Sequence, residues 1–399
     1  MTHIVHVLTV ADSLVFFEGQ PRWFGAQGMK LSFVASPDPR LGAFGARHGV
    51  ETHGVAMRRK ITPLHDVGAL AELWWRLVRE RPEIVHGHTP KGGLLGMAAA
   101  TLAGVPVRIY HIHGLPLATA SGWQRRLLWA SERMSCWLAT DVLCVSRGVR
   151  EVARAEGING AKPIAVLLNG SINGVDADGR FDPERQAAAG CAERERLGIA
   201  ADALVYGFVG RLVRDKGIVE LAEAWAEVAT AHPGAHLVVG GVFEERDAVP
   251  DAVRAQLEQD PRVHLLGYRS DVERVFAALD VLVLPTYREG FPVVPLEAAS
   301  MGLPVVSTRI PGCTEAVVDG VTGTLVPPRD ATALAAAMCA YADDPERRRT
   351  HGRAGRQRVR EDYRPEPLWA ALRSRYERLL AARRQALPAS LSALRLRLW

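Results

Sequence analysis

Short apolar, β-branched segments alternate with helix-like stretches along the whole chain, and this alternation limits the fold more than any other feature. The first half offers IVHVLTV (4–10), KLSFVAS (30–36), EIVHGHT (83–89), VRIYHIHG (107–114), DVLCVSR (141–147) and PIAVLLNG (163–170). The pattern then restarts with LVYGFVGR (204–211), HLVVGG (236–241), VHLLGY (263–268), VLVLPT (281–286), LPVVST (303–308) and GTLVPP (323–328). Strands of this kind separated by helices predict parallel sheets covered on both faces. Two series predict an α/β chain of two Rossmann-like, doubly wound domains, which 399 residues can supply. The polar, irregular stretch 176–203 is the expected junction, giving domains at 1–185 and 186–364 and a basic amphipathic helical tail at 365–399. No internal period suggests a solenoid.

Composition narrows the class. The chain is 48% hydrophobic and 23% charged, an ordinary globular balance. It has no run of eighteen apolar residues, so no spanning helix is expected. The opening MTHIVHVLTVADS reads as a strand, without the basic flank and cleavage site of a signal peptide. Cys136, Cys144, Cys191, Cys313 and Cys339 are scattered without CxxC spacing, which predicts reduced thiols in a cytoplasmic protein and no structural zinc. A net charge of +5 suits an anionic ligand or a membrane surface. Nothing indicates a nucleic-acid partner.

The richest chemistry lies in YREGFPVVPLE (287–297), directly after the strand 281–286. In open α/β sheets ligands bind beyond the carboxyl ends of strands, where loops enter helices. Glu289 and Glu297 offer carboxylates for sugar hydroxyls, and the free amides where the following helix starts suit phosphate. A glycosidase pair needs carboxyls roughly 5–9.5 Å apart. Eight helical residues span about 12 Å, which favours separate contacts: Glu289 for a hexose and Glu297 for a ribose. GRLVRDKG (210–217) follows the first strand of the second half. Beside Gly210, Arg211 as a fork and Lys216 as a point charge suit a diphosphate.

In the first half, alternation puts His111 and His113 on one face at a strand end, before Gly114. His86 and His88 form a second pair, followed by Lys91 and Gly92-Gly93, a loop suited to an anion although not a Walker A motif. Two histidines without a third ligand are weak evidence for zinc. The first strand runs into Asp12-Ser13-Leu14 without GxGxxG, so a dinucleotide fingerprint is missing. Asp176-Ala177-Asp178 looks like DxD but follows no strand, and no metal is expected there.

GRLVRDKG, the Glu289/Glu297 pair, NGVD (173–176) and GCTEAVVDGVTGTLVPP (312–328), with LVFFEGQ, HTPKGGLLG and IHGLP, resemble the retaining glycosyltransferases of family GT4, the glycosyl transferases group 1 class with the GT-B fold. The resemblance covers nearly the whole chain and is greatest to bacterial capsule, O-antigen and PglA-like lipid-linked oligosaccharide transferases. It implies two domains facing across a cleft, an amino-terminal one for the acceptor, a carboxyl-terminal one for the nucleotide sugar, and a tail crossing back to the first. It also implies Arg211 and Lys216 on the diphosphate, Glu297 on the ribose, Glu289 with Gly290 and Phe291 on the donor sugar, and His113 beside the transferred sugar. Ser13, His88 and Lys91 fall on the acceptor side. Many members carry a Gly-Gly phosphate loop where this chain has Asp12-Ser13-Leu14.

The implied reaction is metal-independent transfer, with retention, from a UDP-hexose or UDP-HexNAc to a polyprenyl-diphosphate-linked saccharide. No cofactor is expected, and the enzyme would sit at the inner face of the cytoplasmic membrane. A soluble acceptor, a UDP-sugar 2-epimerase of the same architecture, and a non-catalytic membrane module are the alternatives. Leu70, Leu73, Trp74, Trp75, Arg76 and Arg79 on one helix pattern, and Trp123, Arg125, Arg126, Trp129, Arg133 and Trp137 on another, suit an anionic headgroup zone, as does Met57-Arg58-Arg59-Lys60.

Overall fold

The computed structural model describes residues 1–58 and 62–385; Arg59, Lys60 and the tail beyond 385 lie outside the described residues. Two compact units divide it, one of Met1–Asn173 with the segment from Glu366 onward, the other of Gly174–Pro365. The junction thus falls before the stretch 176–203, because the helix that follows packs with the second unit.

In the first unit the chain runs β1 (Thr2–Val7), α1 (Gln20–Ala26), β2 (Met29–Ala35), α2 (Pro39–His48), β3 (Glu51–Gly54), α3 (Pro63–Glu80), β4 (Ile84–His88), α4 (Pro90–Leu102), β5 (Val107–Ile112), α5 (Gly122–Leu138), β6 (Asp141–Cys144), α6 (Arg147–Ala155) and β7 (Ile164–Val166). The strands form one parallel sheet ordered β3-β2-β1-β4-β5-β6-β7. β3 was not foreseen. It is a polar, half-exposed edge strand, ETHG, with no apolar run to betray it.

Side-chain alternation divides this sheet cleanly. Val5, Val7 and Val85 enter a core shared with Leu73 and Leu77 of α3 and Met97 of α4. Ile4, Leu8 and Ile84 face the opposite core. α4 sits close to the sheet because Gly93 has no side chain: a Cβ there would lie 2.1 Å from the ring of buried Tyr110.

The second unit runs α7 (Pro183–Arg196), β8 (Val205–Val209), α8 (Ile218–Ala231), β9 (His236–Gly240), α9 (Asp251–Gln259), β10 (Val263–Gly267), α10 (Val272–Ala277), β11 (Val281–Leu284), α11 (Val294–Ser300), β12 (Val305–Thr308), α12 (Cys313–Ala316), β13 (Gly323–Val326), α13 (Ala331–Asp343) and α14 (Pro345–Asp362). Its parallel sheet is ordered β10-β9-β8-β11-β12-β13. Tyr206, Phe208, Leu237 and Val283 pack with Trp225 of α8 and Met338 of α13.

The last helix among the described residues, α15 (Pro365–Gln385), packs within the first unit. Leu372 and Leu380 join the core beneath β1 and β2. Arg375 donates to Asp141 at 2.9 Å, and the Trp369 indole donates to Asn173 at 2.7 Å. In both sheets the strand order reverses beside the first strand of the unit, between β1 and β4 and between β8 and β11. Ligands of doubly wound sheets bind at the carboxyl ends of such strand pairs.

Candidate functional site

In the second unit the residues singled out by sequence gather at the β8/β11 reversal. β8 ends at Val209, Gly210 follows it, and the chain then makes a short turn at Arg214–Lys216 before α8. Gly217 joins turn to helix at φ +71°, and a Cβ there would stand 2.0 Å from the Pro285 carbonyl oxygen, so only glycine fits. This contact ties the basic loop to the end of β11. Arg288 reinforces it by donating to Asp215 at 2.7 Å, and the Tyr287 N–H donates to the Asp215 carbonyl at 2.8 Å.

The result places Lys216 against Glu289: Nζ donates to Oε1, and both side chains are mostly shielded from water. Arg211 stands further out, 48% exposed, and pairs with Glu244 at 3.1 Å. Glu244 and Asp247 were missed by the sequence reading. They lie in the loop after β9, where Asp247 accepts from the Asp215 N–H at 2.7 Å and so holds the basic loop. Their only signal was an acidic run, EERD, after a glycine-ended strand.

Glu289 lies in the loop, and α11 begins only at Val294. Phe291 is buried and its ring lies 5.7 Å from that of Tyr363. Gly290 is pressed against Gly312, where a Cβ would meet its carbonyl oxygen at 2.5 Å. Glu297, in the first turn of α11, has different surroundings from Glu289. Loss of water pushes its carboxyl up to about 7, an effect opposed by the Arg180 charge and reinforced by Glu273. The two glutamates therefore have different charged neighbours, Lys216 beside Glu289 and Arg180 with Glu273 near Glu297.

Asp176 and Asp178 belong to structural contacts. Asp176 accepts from the Arg180 N–H at 2.9 Å, and Asp178 pairs with Arg360 at 2.9 Å.

In the first unit, the β1/β4 reversal carries histidines. The register sets His6 opposite His86 and His88 opposite His111. Alternation puts His6, His86, His88, His111 and His113 on one face. His113 Nε2 lies 2.8 Å from His88 Nδ1, and His88 Nε2 lies 3.0 Å from His6 Nδ1. Burial lowers the His113 imidazole to about 4, so it is neutral at pH 7.

One expectation here needs correction. The Gly92-Gly93 loop does not present amides to an anion: the Gly92 N–H donates to Thr9 Oγ1 at 2.9 Å and the Gly93 N–H to the Thr89 carbonyl at 2.8 Å. The glycines serve close packing of α4. Lys91 donates to Asp66 of α3 at 2.8 Å. Ser13 lies in a 3-10 turn, Ala11–Phe17, and its N–H donates to the Val10 carbonyl at 3.3 Å.

The tryptophans separate into two kinds. Trp129 is structural, packed against the core with its indole donating to the Glu156 carbonyl at 2.8 Å. Trp123 and Trp137 of α5 are 74% and 70% exposed. On α3, Leu64, Val67, Trp74, Trp75 and Val78 form an exposed apolar stripe, with the Arg79 guanidinium over the Trp75 ring.

This architecture coincides with that of known proteins. Residues 203–344 match the family model "Glycosyl transferases group 1", and residues 15–170 match "Glycosyl transferase 4-like domain". The capsular polysaccharide biosynthesis glycosyltransferase CapM of Staphylococcus aureus is 30% identical over 377 residues, 94% of this chain and 97% of that one. A UDP-Gal:alpha-D-GlcNAc-diphosphoundecaprenol alpha-1,3-galactosyltransferase of Escherichia coli is 29% identical over 72% of this chain and 73% of its own. The Anabaena protein HepE, solved with UDP and glucose, shares the fold with a TM-score of 0.77 at 20% identity, over 94% of this chain and 99% of that one. The two units are Rossmann-like domains of the GT-B class, and the chain belongs to the group 1 glycosyl transferases.

Proposed function

We propose that this glycosyltransferase moves a hexose or N-acetylhexosamine, with retention, from a UDP-sugar to a hydroxyl of a polyprenyl-diphosphate-linked saccharide in cell-surface polysaccharide assembly. The observation that carries the reading is the shielded Lys216–Glu289 pair at the β8/β11 reversal. It offers a cation for a leaving diphosphate beside a carboxylate for sugar hydroxyls. The bond from the anomeric carbon to the diphosphate breaks as the bond to the acceptor oxygen forms on the same face, and the acceptor's proton passes to a phosphate oxygen. Protein groups then mainly position substrates and stabilise charge. Glu297, with Arg180 and Glu273 near it, is read as a ribose contact rather than as a second carboxylate for a covalent intermediate. The Staphylococcus and Escherichia relatives, by their names, support a capsule or diphosphoundecaprenol-linked acceptor.

Incubation with UDP-hexoses and UDP-N-acetylhexosamines, each with an undecaprenyl-diphosphate disaccharide or a soluble sugar, tests this reading. A glycolipid with an α linkage is expected, formed equally well with or without added Mg²⁺ or Mn²⁺. Product on the soluble sugar alone, or an epimerised donor, would replace it.

Glu297 gives a pH signature. As a carboxylate it accepts from ribose hydroxyls, and with its carboxyl raised to about 7 it protonates as the pH falls below neutrality. UDP affinity is therefore expected to weaken between pH 8 and pH 6. Glu297→Gln should bind UDP more weakly at pH 8 and lose this part of the dependence. An unchanged profile in the mutant assigns the titration elsewhere.

The exposed apolar stripe of α3 and the exposed tryptophans of α5 carry the membrane reading. Among the described residues no helix is long and apolar enough to cross a membrane. Both helices flank α4 on one face of the sheet. Half-buried indoles with arginines beside them suit the headgroup zone of an anionic bilayer. Trp75→Ser with Trp123→Ser should reduce co-sedimentation with phosphatidylglycerol vesicles at low salt, where attraction is least screened. Equal recovery of wild type and variant in the supernatant removes the bilayer as partner.

A further inference from the structure

We propose that His6, His86 and His88 form a binding site for a divalent transition-metal ion of the Zn²⁺ class inside the amino-terminal sheet. One ring nitrogen from each lies within 4.8 Å of the other two. The His6 Nδ1 and His88 Nε2 atoms face each other at 3.0 Å. Nitrogens around a tetrahedral Zn²⁺, bonded at 2.0–2.1 Å, stand about 3.3 Å apart. The pair therefore needs only a slight opening to share an ion.

His86 supplies the independent observation. It is 1% exposed, and its Nε2 atom is buried without a hydrogen-bond partner. Native proteins rarely leave such an atom bare. Its other nitrogen, Nδ1, lies 2.7 Å from the hydroxyl of Tyr376 on α15. With Nδ1–H donating there, the Nε2 lone pair turns into the cluster. Metal-binding histidines are held in this way, by an outer partner on the second nitrogen. Burial lowers all three imidazoles below their ordinary value, so each is neutral at pH 7 and keeps a lone pair. An all-nitrogen donor set suits Zn²⁺, Ni²⁺ or Cu²⁺ and disfavours Mg²⁺ and Ca²⁺.

The protons balance without any leaving the protein. His88 donates from Nδ1 to His113 Nε2, which frees His88 Nε2 for the ion. The His6 proton that lies between His6 and His88 in the metal-free protein moves to the other nitrogen of His6. His88, His111 and His113 make a second group of the same kind. Each group contains one hydrogen-bonded pair of ring nitrogens, and the first is preferred because it also holds the bare Nε2 of His86.

The test uses the full chain, stripped with a chelator and checked for retained circular dichroism. Zn²⁺ alone is titrated by calorimetry, and Co²⁺ by visible absorption. One ion per chain is expected, with the intense bands of tetrahedral Co²⁺ and a raised unfolding temperature. Tyr376→Phe keeps the buried ring and removes the outer hydrogen bond, and should weaken Zn²⁺ binding about tenfold. His86→Asn should weaken it further, and His111→Asn should leave it unchanged. No saturable binding by wild type overturns the proposal. So does loss of binding in His111→Asn with retention in Tyr376→Phe, which places the ion in the neighbouring group. Should His86→Asn fail to fold, the Tyr376→Phe and His111→Asn comparison still decides.

Discussion

Lys216→Ala is expected to reduce kcat/KM by about ten- to a hundredfold, and Arg211→Ala by about tenfold, with the fold of both variants intact. Hydrogen bonds to charged groups contribute about 1.5–3 kcal/mol, and each 1.36 kcal/mol of transition-state stabilisation is a factor of ten in rate. The ordering follows from the surroundings. Lys216 is shielded at the base of the loop beside Glu289, while Arg211 is half exposed, where solvent weakens any charge interaction. Lys216→Ala also strips Glu289 of its partner, so its loss includes a misplaced carboxylate. Steady-state kinetics on both variants check this, with circular dichroism to confirm folding. Near-normal values in both would remove the diphosphate from this loop.

Glu289→Gln should lower kcat at least tenfold, shift the preference among donor sugars, and leave UDP affinity nearly unchanged. The neutral amide keeps the size of the side chain but weakens its bonds to Lys216 and to sugar hydroxyls, contacts that matter when the sugar carries developing charge. Glu297→Gln is the reverse case, with its main loss in nucleotide affinity. UDP titration and turnover on the same two proteins separate the roles. If Glu289→Gln loses UDP and Glu297→Gln does not, the two assignments are exchanged.

Much of the fold was legible because parallel strands buried on both faces are continuous apolar runs. VLVLPT and LVYGFVGR announce β11 and β8 directly. β3 lacked such a run, because a sheet edge tolerates polar residues. Site legibility followed the same division. The spacing of GRLVRDKG and YREGFPVVPLE marked both sides of the β8/β11 reversal, but the approach of Lys216 to Glu289 depends on how Gly217 packs under Pro285. The paired histidines of β4 and β5 were visible as alternation within each strand. Their union with His6 required the strand register, which no local pattern encodes. Gly92 and Gly93 misled for the opposite reason: glycine permits a close ligand and a close helix equally.

The placement of α15 affects the order in which the polypeptide matures on the ribosome. His86 and Tyr376 are hydrogen-bonded across 290 residues of chain. The first unit emerges first, yet one side of its sheet waits for α15, which follows the whole uninterrupted segment Gly174–Pro365 of the second unit. Until then Phe24, Ile4 and Ile84 have no cover from Leu372, Tyr376 and Leu380. A nascent chain that has not yet supplied α15 therefore presents an apolar face, the kind of transiently exposed surface that favours aggregation and chaperone capture.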